Sequence, residues 1–376
     1  MNFGFSEEQK CLGETVVQLL GDFPVLTAPD PAKAHDPRVW TALAELGLFS
    51  LLVSEAEGGV GLSLVDIALA VEALGAGLAP PIVASTLIAT DLIARYGSPA
   101  QRAQFLPSIA AGELRIAIAT LESDQDYDPD HVQTALGSNG ATGTKILVPG
   151  ASDADVFLVL ARCDGRPGLA LIRRGASGVS LRPHADIDSS SGLCELVLEG
   201  ASLTDDALIA PKAAGAAVAR LFDVAATVYA GMEIGIAARM LDRAVDYAKT
   251  RIQFGQAIGS FQAIKHRCSD MAVAVEAGRS AAYYAFWTVA EDASDRGRAS
   301  SMAKAYCGEV ARDVCNQTIQ IHGGMGFTWD LGLHRFLRRA KVLEHAFGNH
   351  VWHYERVIAS TLAGGQPVEN ARHDAA

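Results

Sequence analysis

The chain has 376 residues, of which 49% are apolar and 20% are charged, as in an ordinary soluble protein of about two or three domains. Its formal net charge of −12 argues against nucleic acid or an anionic membrane as the main partner. The six cysteines include no Cys-x-x-Cys pair, which fits buried thiols in a reducing compartment better than disulfides or zinc. Because the N-terminus is acidic and no apolar run reaches membrane-spanning length, we expect a cytoplasmic protein without a membrane segment.

The N-terminal part, residues 1–115, is predicted to be an all-α domain. Ser6 and Gln9 form the pattern of a capping box at the start of a helix. From Val39 to about Ile109 the apolar residues recur at helical spacing, with interruptions at glycine and proline clusters.

The central part, residues 116–210, changes to short β-rich runs such as Asp155–Leu160 and Cys194–Leu198. Clusters of Gly, Asp, Ser and Pro separate these runs at the spacing of an antiparallel barrel or sandwich. Since no helical segments alternate with the runs, a parallel dinucleotide-binding sheet is not expected.

Helical periodicity returns over residues 211–362 and indicates an antiparallel four-helix bundle. The predicted segments are roughly 212–252, 261–294, 298–321 and 330–362. Residues 363–376 are polar and are expected to form a frayed tail. The whole chain is therefore predicted to be a multidomain α+β protein, with an α-helical domain, a β domain and a four-helix bundle in this order.

Several motifs, in the same order along the chain, resemble those of the acyl-CoA dehydrogenase family. The clearest is Arg251-Ile-Gln-Phe-Gly followed by Phe261-Gln262. The second is Gln320-Ile-His-Gly-Gly-Met-Gly326, which lies between two strong helical patterns. It is followed by Arg338-Arg-Ala-Lys341. Leu106-Pro107 and Gly143-Thr-Lys145 are weaker matches.

The resemblance implies a flavin enzyme that desaturates an acyl-CoA thioester: a carboxylate removes the α-proton while the β-hydride passes to FAD. In such enzymes the adenine and pyrophosphate half of FAD is held partly by the neighbouring subunit. The positions that do this correspond to Arg251, Phe254, Phe261, Gln262, Gln320, Gly323 and Gly324. Arginine offers a forked donor to pyrophosphate, and glycine lets the backbone come close to a ligand.

The residue that would remove the proton is missing from both of its usual positions. The common glutamate position after the Arg-x-Ala-Lys motif is occupied by Phe347, and the alternative position on the first long C-terminal helix is Ala225. Three carboxylates near these positions are candidates for a relocated base: Glu233, Glu344 and Asp223.

The flavin-ring side also departs from the family. The segment Leu121–Asp128 stands where the family has a Thr-Glu-Pro loop with a glycine-serine turn. Leu147 and Pro149 occupy the positions of a ring-lining aromatic residue and a threonine, and proline has no backbone donor. Histidines are dense around 322–353, but no carboxylate-rich set completes a metal site.

Three hypotheses remain open at this point. The first is a non-catalytic subunit of a heterotetrameric acyl-CoA dehydrogenase, in which a paralogous catalytic subunit supplies the base and the flavin-ring pocket. Its substrate would be an acyl-CoA, possibly with a bulky, steroid-like acyl group, and an electron-transfer partner would reoxidise the flavin. The second is a self-sufficient homotetramer with a relocated carboxylate, and the third is a non-redox scaffold that binds CoA or flavin.

Overall fold

A computed structural model describes residues 4–23, 36–123, 127–137 and 139–364. The expected frayed tail lies almost entirely outside the described residues, as does the middle of the segment Leu121–Asp128.

Helices make up the N-terminal part, and both of its serine-capped helices begin with a capping box. Ser6 accepts from the Gln9 amide and Ser98 accepts from the Gln101 amide, while each glutamine side chain binds back to its serine amide. The helices are α1 (Glu7–Gly21), α2 (Arg38–Glu45), α3 (Ala68–Ala76), α4 (Pro81–Tyr96) and α5 (Pro99–Ala110).

The central strands form one mixed sheet with the order β6-β7-β3-β2-β4-β5-β8, and β1 pairs with β4. The strands are β1 (Ile116–Ala119), β2 (Ala135–Gly137), β3 (Gly140–Val148), β4 (Val156–Cys163), β5 (Arg166–Arg173), β6 (Val179–Pro183), β7 (Cys194–Ala201) and β8 (Leu208–Ile209). The expected purely antiparallel pattern is wrong in one respect, since β1 and β2 both run parallel to β4. The intervening β2–β3 hairpin gives the chain the length that a parallel return requires.

The C-terminal part contains the three long predicted helices and a fourth segment that is broken in two. The helices are α6 (Ala214–Thr250), α7 (Gln262–Ala290), α8 (Arg296–His322), α9 (Leu333–His345) and α10 (His350–Gly364). A small hairpin, β9 (Ile252–Gln253) and β10 (Gln256–Ala257), joins α6 to α7. The prediction of one continuous helix over 330–362 is therefore wrong, and the break contains Phe347.

Helix α6 is the central element and packs against α3, α4, α7 and α8. It crosses α3 so closely that a Cβ added to Gly75 would lie 2.0 Å from the Met232 carbonyl oxygen. A Cβ on Gly235 would lie 1.9 Å from the carbonyl oxygen of Glu72. These two glycines therefore fix the N-terminal helices against the bundle.

One helical segment, Pro211–Thr250, is long and apolar enough by length and composition to cross a membrane. This corrects the expectation that no apolar run reaches that length. Of its most apolar window, 94% is buried inside the protein, as in the core helix of a helical bundle.

Arg339 on α9 joins the three parts of the chain at one buried point. Its guanidinium donates to the Ala79 carbonyl oxygen at 2.7 Å and to the Ser190 hydroxyl at 2.7 Å, and it forms an ion pair with Asp188. Its side chain is 1% exposed. The network holds α9 against the β domain, where the candidate site lies.

Candidate functional site

An apolar cavity of about 260 Å³ lies between the β domain and helix α9. Its apolar lining comes from the strands and from the end of α9, and includes Leu121, Leu147, Pro149, Val342 and Phe347. The polar residues that line it are Thr120, Tyr127, Asp186, Lys341 and His345. We call this space the inner cavity.

Phe347 reaches the inner cavity because the backbone turns sharply between α9 and α10. Its φ is +57° and that of Gly348 is +114°. A Cβ on Gly348 would lie 2.4 Å from the Trp352 ring, so the turn requires glycine there. The Phe347 ring is 5% exposed and packs edge-on against Tyr229, with 5.1 Å between ring centroids. The site that resembles the catalytic position is thus filled by packed aromatic rings.

Glu233 is engaged elsewhere and does not line the inner cavity. Its side chain is 0% exposed, and its Oε1 accepts from Lys304 Nζ at 2.8 Å. Burial raises the pKa of Glu233 to about 7, against the opposing effect of Lys304. The same ammonium group donates to the Glu344 carbonyl oxygen at 3.2 Å, so the pair supports the last turn of α9.

The other two candidate carboxylates are also held in ion pairs away from this cavity. Glu344 accepts from the Arg312 guanidinium. Asp223 lies between Arg356 at 3.0 Å and Arg296 at 3.2 Å. Burial raises the pKa of Asp223, although both arginines oppose the shift. The structure therefore brings none of the three carboxylates to Phe347.

Three residues at the edge of the inner cavity, Leu147, Pro149 and Tyr127, offer it no free donor. Leu147 has a φ of +51°, and its backbone N–H donates to His184 Nε2 at 3.3 Å. Pro149 has no backbone N–H. The Tyr127 hydroxyl donates to the His345 carbonyl oxygen at 2.8 Å. A flavin ring needs donors to its ring nitrogens and carbonyl oxygens, so these residues do not fit a flavin ring of this chain's own.

Beside this cavity, Glu122 forms a buried ion pair with Lys145 at 2.6 Å and also accepts from the Thr134 hydroxyl. Burial lowers the pKa of Lys145 to about 8, against the raising effect of Glu122. Leu121 directly precedes Glu122 in the chain, and Ile146 and Leu147 directly follow Lys145. The ion pair therefore adjoins three residues that line the inner cavity. The only sequence signal that pointed to Lys145 was the weak match of Gly143-Thr-Lys145 to the family.

The features predicted to hold the outer half of FAD lie on an exposed surface at one end of the bundle. The Phe254 side chain is 92% exposed at a φ of +53°, and its ring lies edge-on to that of Phe261, with 6.1 Å between ring centroids. Arg251 and Gln262 are also exposed. Within the described part of the chain, the Arg251 guanidinium has no hydrogen bond or ion pair.

Gln320, Gly323 and Gly324 lie at the same end of the bundle, where α8 stops. Tyr247, one turn before Arg251, stacks on His322 with 4.2 Å between ring centroids, so the ends of α6 and α8 meet. A Cβ added to Gly323 or Gly324 would meet no atom within 4 Å. Since Gly324 has no internal packing reason to be glycine, its open backbone fits the approach of an external group.

A second and larger cavity of about 910 Å³ lies between the β4–β5 turn, the start of α6 and helix α10. Its lining includes Phe222 and Trp352, with Arg166, Lys212 and Arg356 as its basic members. We call it the outer cavity. Sequence reasoning missed it because its walls come from four separate parts of the chain, of which residues 128–130 are the fourth. Among the residues that the structure describes, no group of three or more His, Cys, Asp or Glu side chains could hold a metal ion.

Comparison with known proteins agrees with the order of domains in this structure. Residues 6–113 match the model for the acyl-CoA dehydrogenase N-terminal domain, and residues 214–362 match that for the C-terminal domain. Over 332 residues the chain is 34% identical to acyl-CoA dehydrogenase FadE34 of Mycobacterium tuberculosis, covering 87% of this chain but only 42% of that protein.

Two solved structures share the fold over nearly the whole chain. The ChsE4-ChsE5 complex from Mycobacterium tuberculosis is 26% identical with a TM-score of 0.87, covering 97% of this chain and all of the matched chain. The Tcur3481-Tcur3483 steroid ACAD is 28% identical with a TM-score of 0.85, covering 95% of this chain and 99% of the matched one. The order of helical, β and helical domains expected from the sequence is confirmed.

Proposed function

Because this chain belongs to the acyl-CoA dehydrogenase family of FAD-dependent oxidoreductases, we propose that it is a non-catalytic subunit of a heteromeric member. The complex would desaturate an acyl-CoA between its α and β carbons. A paralogous subunit would supply the base and the flavin-ring pocket. This chain would complete the FAD site of that partner.

The observation that carries the proposal is that Phe347 stands at the predicted position of the base and that none of the three candidate carboxylates lines its cavity. Asp186, the carboxylate in the described lining, already accepts from the Ser191 hydroxyl. Removal of an α-proton needs a base within hydrogen-bond reach of that proton. Here a buried phenylalanine stands against Tyr229. The three candidate acids are held in ion pairs: Glu233 with Lys304, Glu344 with Arg312, and Asp223 with Arg296 and Arg356. When bound, FAD would supply the hydride acceptor, and the partner subunit would supply the base that takes the proton.

The exposed surface at the end of the bundle supports the proposal that this chain completes the FAD site of its partner. Arg251 can donate a forked pair of hydrogen bonds to a pyrophosphate, and Gly324 leaves its backbone open on the outer side. The ring of Phe254 exposes apolar area that an assembly would bury. Phe261, Gln262, Gln320 and Gly323 belong to the same surface, which would contact the adenine and pyrophosphate half of the partner's FAD.

The proposed assembly is a heterotetramer in the cytoplasm that passes electrons to an electron-transfer partner. The name of the ChsE4-ChsE5 complex supports a pairing of two different chains. All six cysteines are free thiols, in keeping with a reducing compartment. A bulky, steroid-like acyl group is supported by the steroid ACAD among the similar structures and by the size of the outer cavity.

The test is to purify the chain alone and after co-expression with a paralogous acyl-CoA dehydrogenase subunit from the same genome. Flavin absorbance and turnover with an artificial electron acceptor are measured for both preparations. We expect flavin and activity only in the co-purified complex. Yellow, active protein from this chain alone would favour the self-sufficient homotetramer, and a stable complex without flavin would favour the scaffold.

A further inference from the structure

A small space, which we call the constriction, lies between the outer and inner cavities and shares lining residues with both. The constriction has a volume of only about 10 Å³. Asp128 and Phe222 line both the outer cavity and the constriction. Thr120, Leu121 and Tyr127 line both the constriction and the inner cavity. A space of this size holds about one water molecule, so the described residues leave no room in it for a methylene chain.

Tyr127 is held across this passage by contacts from two C-terminal helices. Its hydroxyl donates to the carbonyl oxygen of His345, the last residue of α9, at 2.8 Å. Its ring lies 6.0 Å from the ring of Trp352 on α10, which in turn lies 5.6 Å from the ring of Phe222 on α6. Burial raises the pKa of the Tyr127 hydroxyl, which therefore stays a neutral donor. The three rings form one aromatic cluster, of which Tyr127 and Phe222 line the constriction.

We infer that Tyr127 is the barrier that limits how deeply this chain can take an apolar ligand. A ligand that enters the outer cavity stops at the constriction, which the Tyr127 ring lines, and does not reach Phe347. The ligand class, an acyl-CoA whose acyl chain enters first, rests on the proposed function. Tyr127 thus determines specificity, because it sets the length of acyl chain that gains affinity in this subunit.

The test measures the dissociation constants of saturated acyl-CoAs of increasing chain length for the full-length protein by titration calorimetry. For the wild type, affinity should rise with chain length until the chain meets Tyr127 and then stay constant. For Tyr127→Ala, affinity should continue to rise beyond that length by about fourfold for each further buried methylene. Tyr127→Phe keeps the ring and loses only the hydroxyl, so its plateau should match that of the wild type.

Thermal unfolding of each variant shows whether it is folded, and Tyr127→Leu provides a smaller opening if Tyr127→Ala does not fold. An affinity that rises through the whole series in the wild type would overturn the inference. So would an opened variant whose plateau stays at the wild-type length. Absence of acyl-CoA binding in every variant would also overturn it, but would leave the subunit proposal to be decided by the flavin content of the co-purified complex.

Discussion

At the scale of single residues, Phe347 occupies the position where the family resemblance predicts a catalytic glutamate, and there it is packed into the core. The residue keeps a left-handed backbone conformation that aims its side chain into a cavity. The ring then gains edge-on packing against Tyr229, which stabilises such pairs by about 0.5–1.5 kcal/mol beyond their buried area. A carboxylate in the same apolar surroundings would instead be destabilised in its charged form.

Arg251→Ala tests whether this side chain serves a partner's cofactor. Loss of a charge-assisted hydrogen bond costs about 1.5–3 kcal/mol, so we expect FAD to bind the assembled complex roughly tenfold or more weakly. The measurement is the flavin-to-protein ratio after dialysis of the co-purified complex. The folding stability of the chain should not change, because among the described residues Arg251 has no hydrogen bond or ion pair to lose.

Arg298→Ala is the matched control, since Arg298 is a partly exposed arginine at the opposite end of the bundle, near the start of α8. Its flavin ratio should equal that of the wild type. An unchanged ratio in Arg251→Ala would show that Arg251 is only a solvated surface charge.

We expect the folding stability to depend on pH through Glu233. The sign of this dependence follows from the raised pKa of its buried carboxyl group. The pKa of Glu233 is about 7 in the folded protein against 4.5 as the ordinary value. Between these values the folded state holds a proton that the unfolded state releases. Stability that is fully present below about pH 4.5 is therefore lost as the pH rises towards 7. Lys304 opposes this shift and Glu344 adds to it.

The comparison that isolates this effect is Glu233→Gln against the wild type, with thermal unfolding midpoints recorded from pH 4.5 to pH 8. The wild type should lose stability relative to the variant as the pH rises. A difference between the two that is constant across this range would contradict a raised pKa for Glu233. A difference of opposite sign would mean that Lys304 keeps the carboxylate ionised throughout.

At the scale of elements, the end of α8 uses its three glycines in different ways. Gly326 is packed, because a Cβ there would lie 2.4 Å from the Ile319 carbonyl oxygen. Gly323 has a φ of +58° and a ψ of −137°, a conformation that essentially only glycine adopts. Gly324 has neither constraint. The first two glycines shape the turn, and the third leaves the outer side open.

Gly324→Ala therefore separates a ligand role from a folding role. With no atom within 4 Å of the added Cβ, we expect the free energy of unfolding to change by less than about 1 kcal/mol. The flavin ratio of the co-purified complex should fall because the methyl group stands where the cofactor approaches. Gly326→Ala is the contrasting variant and should destabilise the chain itself. A normal flavin ratio in folded Gly324→Ala would count against the proposed FAD surface.

At the scale of the whole molecule, Arg339 connects the three parts of the chain. Its removal therefore tests how strongly these parts depend on one another. Removing one partner of a buried ion pair costs about 3–5 kcal/mol, because Asp188 is left buried without its countercharge. We expect Arg339→Ala to lower the free energy of unfolding by about this amount, measured by urea denaturation. Since the network includes Ala79 and Ser190, the inner cavity should also lose its fixed shape.

Arg338→Ala is the neighbouring control. Arg338 lies over the exposed Trp329 ring at 5.5 Å, and its removal should cost about 1 kcal/mol or less. Equal effects of the two substitutions would show that the buried network does not hold the three parts together.

The sequence by itself determined the family resemblance and the order of helical and β domains, and it predicted that Phe347 stands where the family has its glutamate. These features depend on local periodicity and on motifs whose residues are adjacent in the chain, so no long-range contact is needed to detect them. The FAD-binding roles of Arg251, Phe254 and Gly324 were named in the same way and stay predictions. The fourth predicted helix was wrong because the helical pattern of 330–362 conceals a break that depends on Gly348.

Only the tertiary structure decided what the side chains of distant segments do to one another. Tyr127 and His345 are 218 residues apart, and no sequence pattern links them. The same holds for Glu233 with Lys304 and for Arg339 with Asp188. Whether a carboxylate is a free base or a buried ion pair, and whether two cavities are joined or separated, depends on side-chain direction and distance. Folding fixes both by bringing remote parts of the chain into contact.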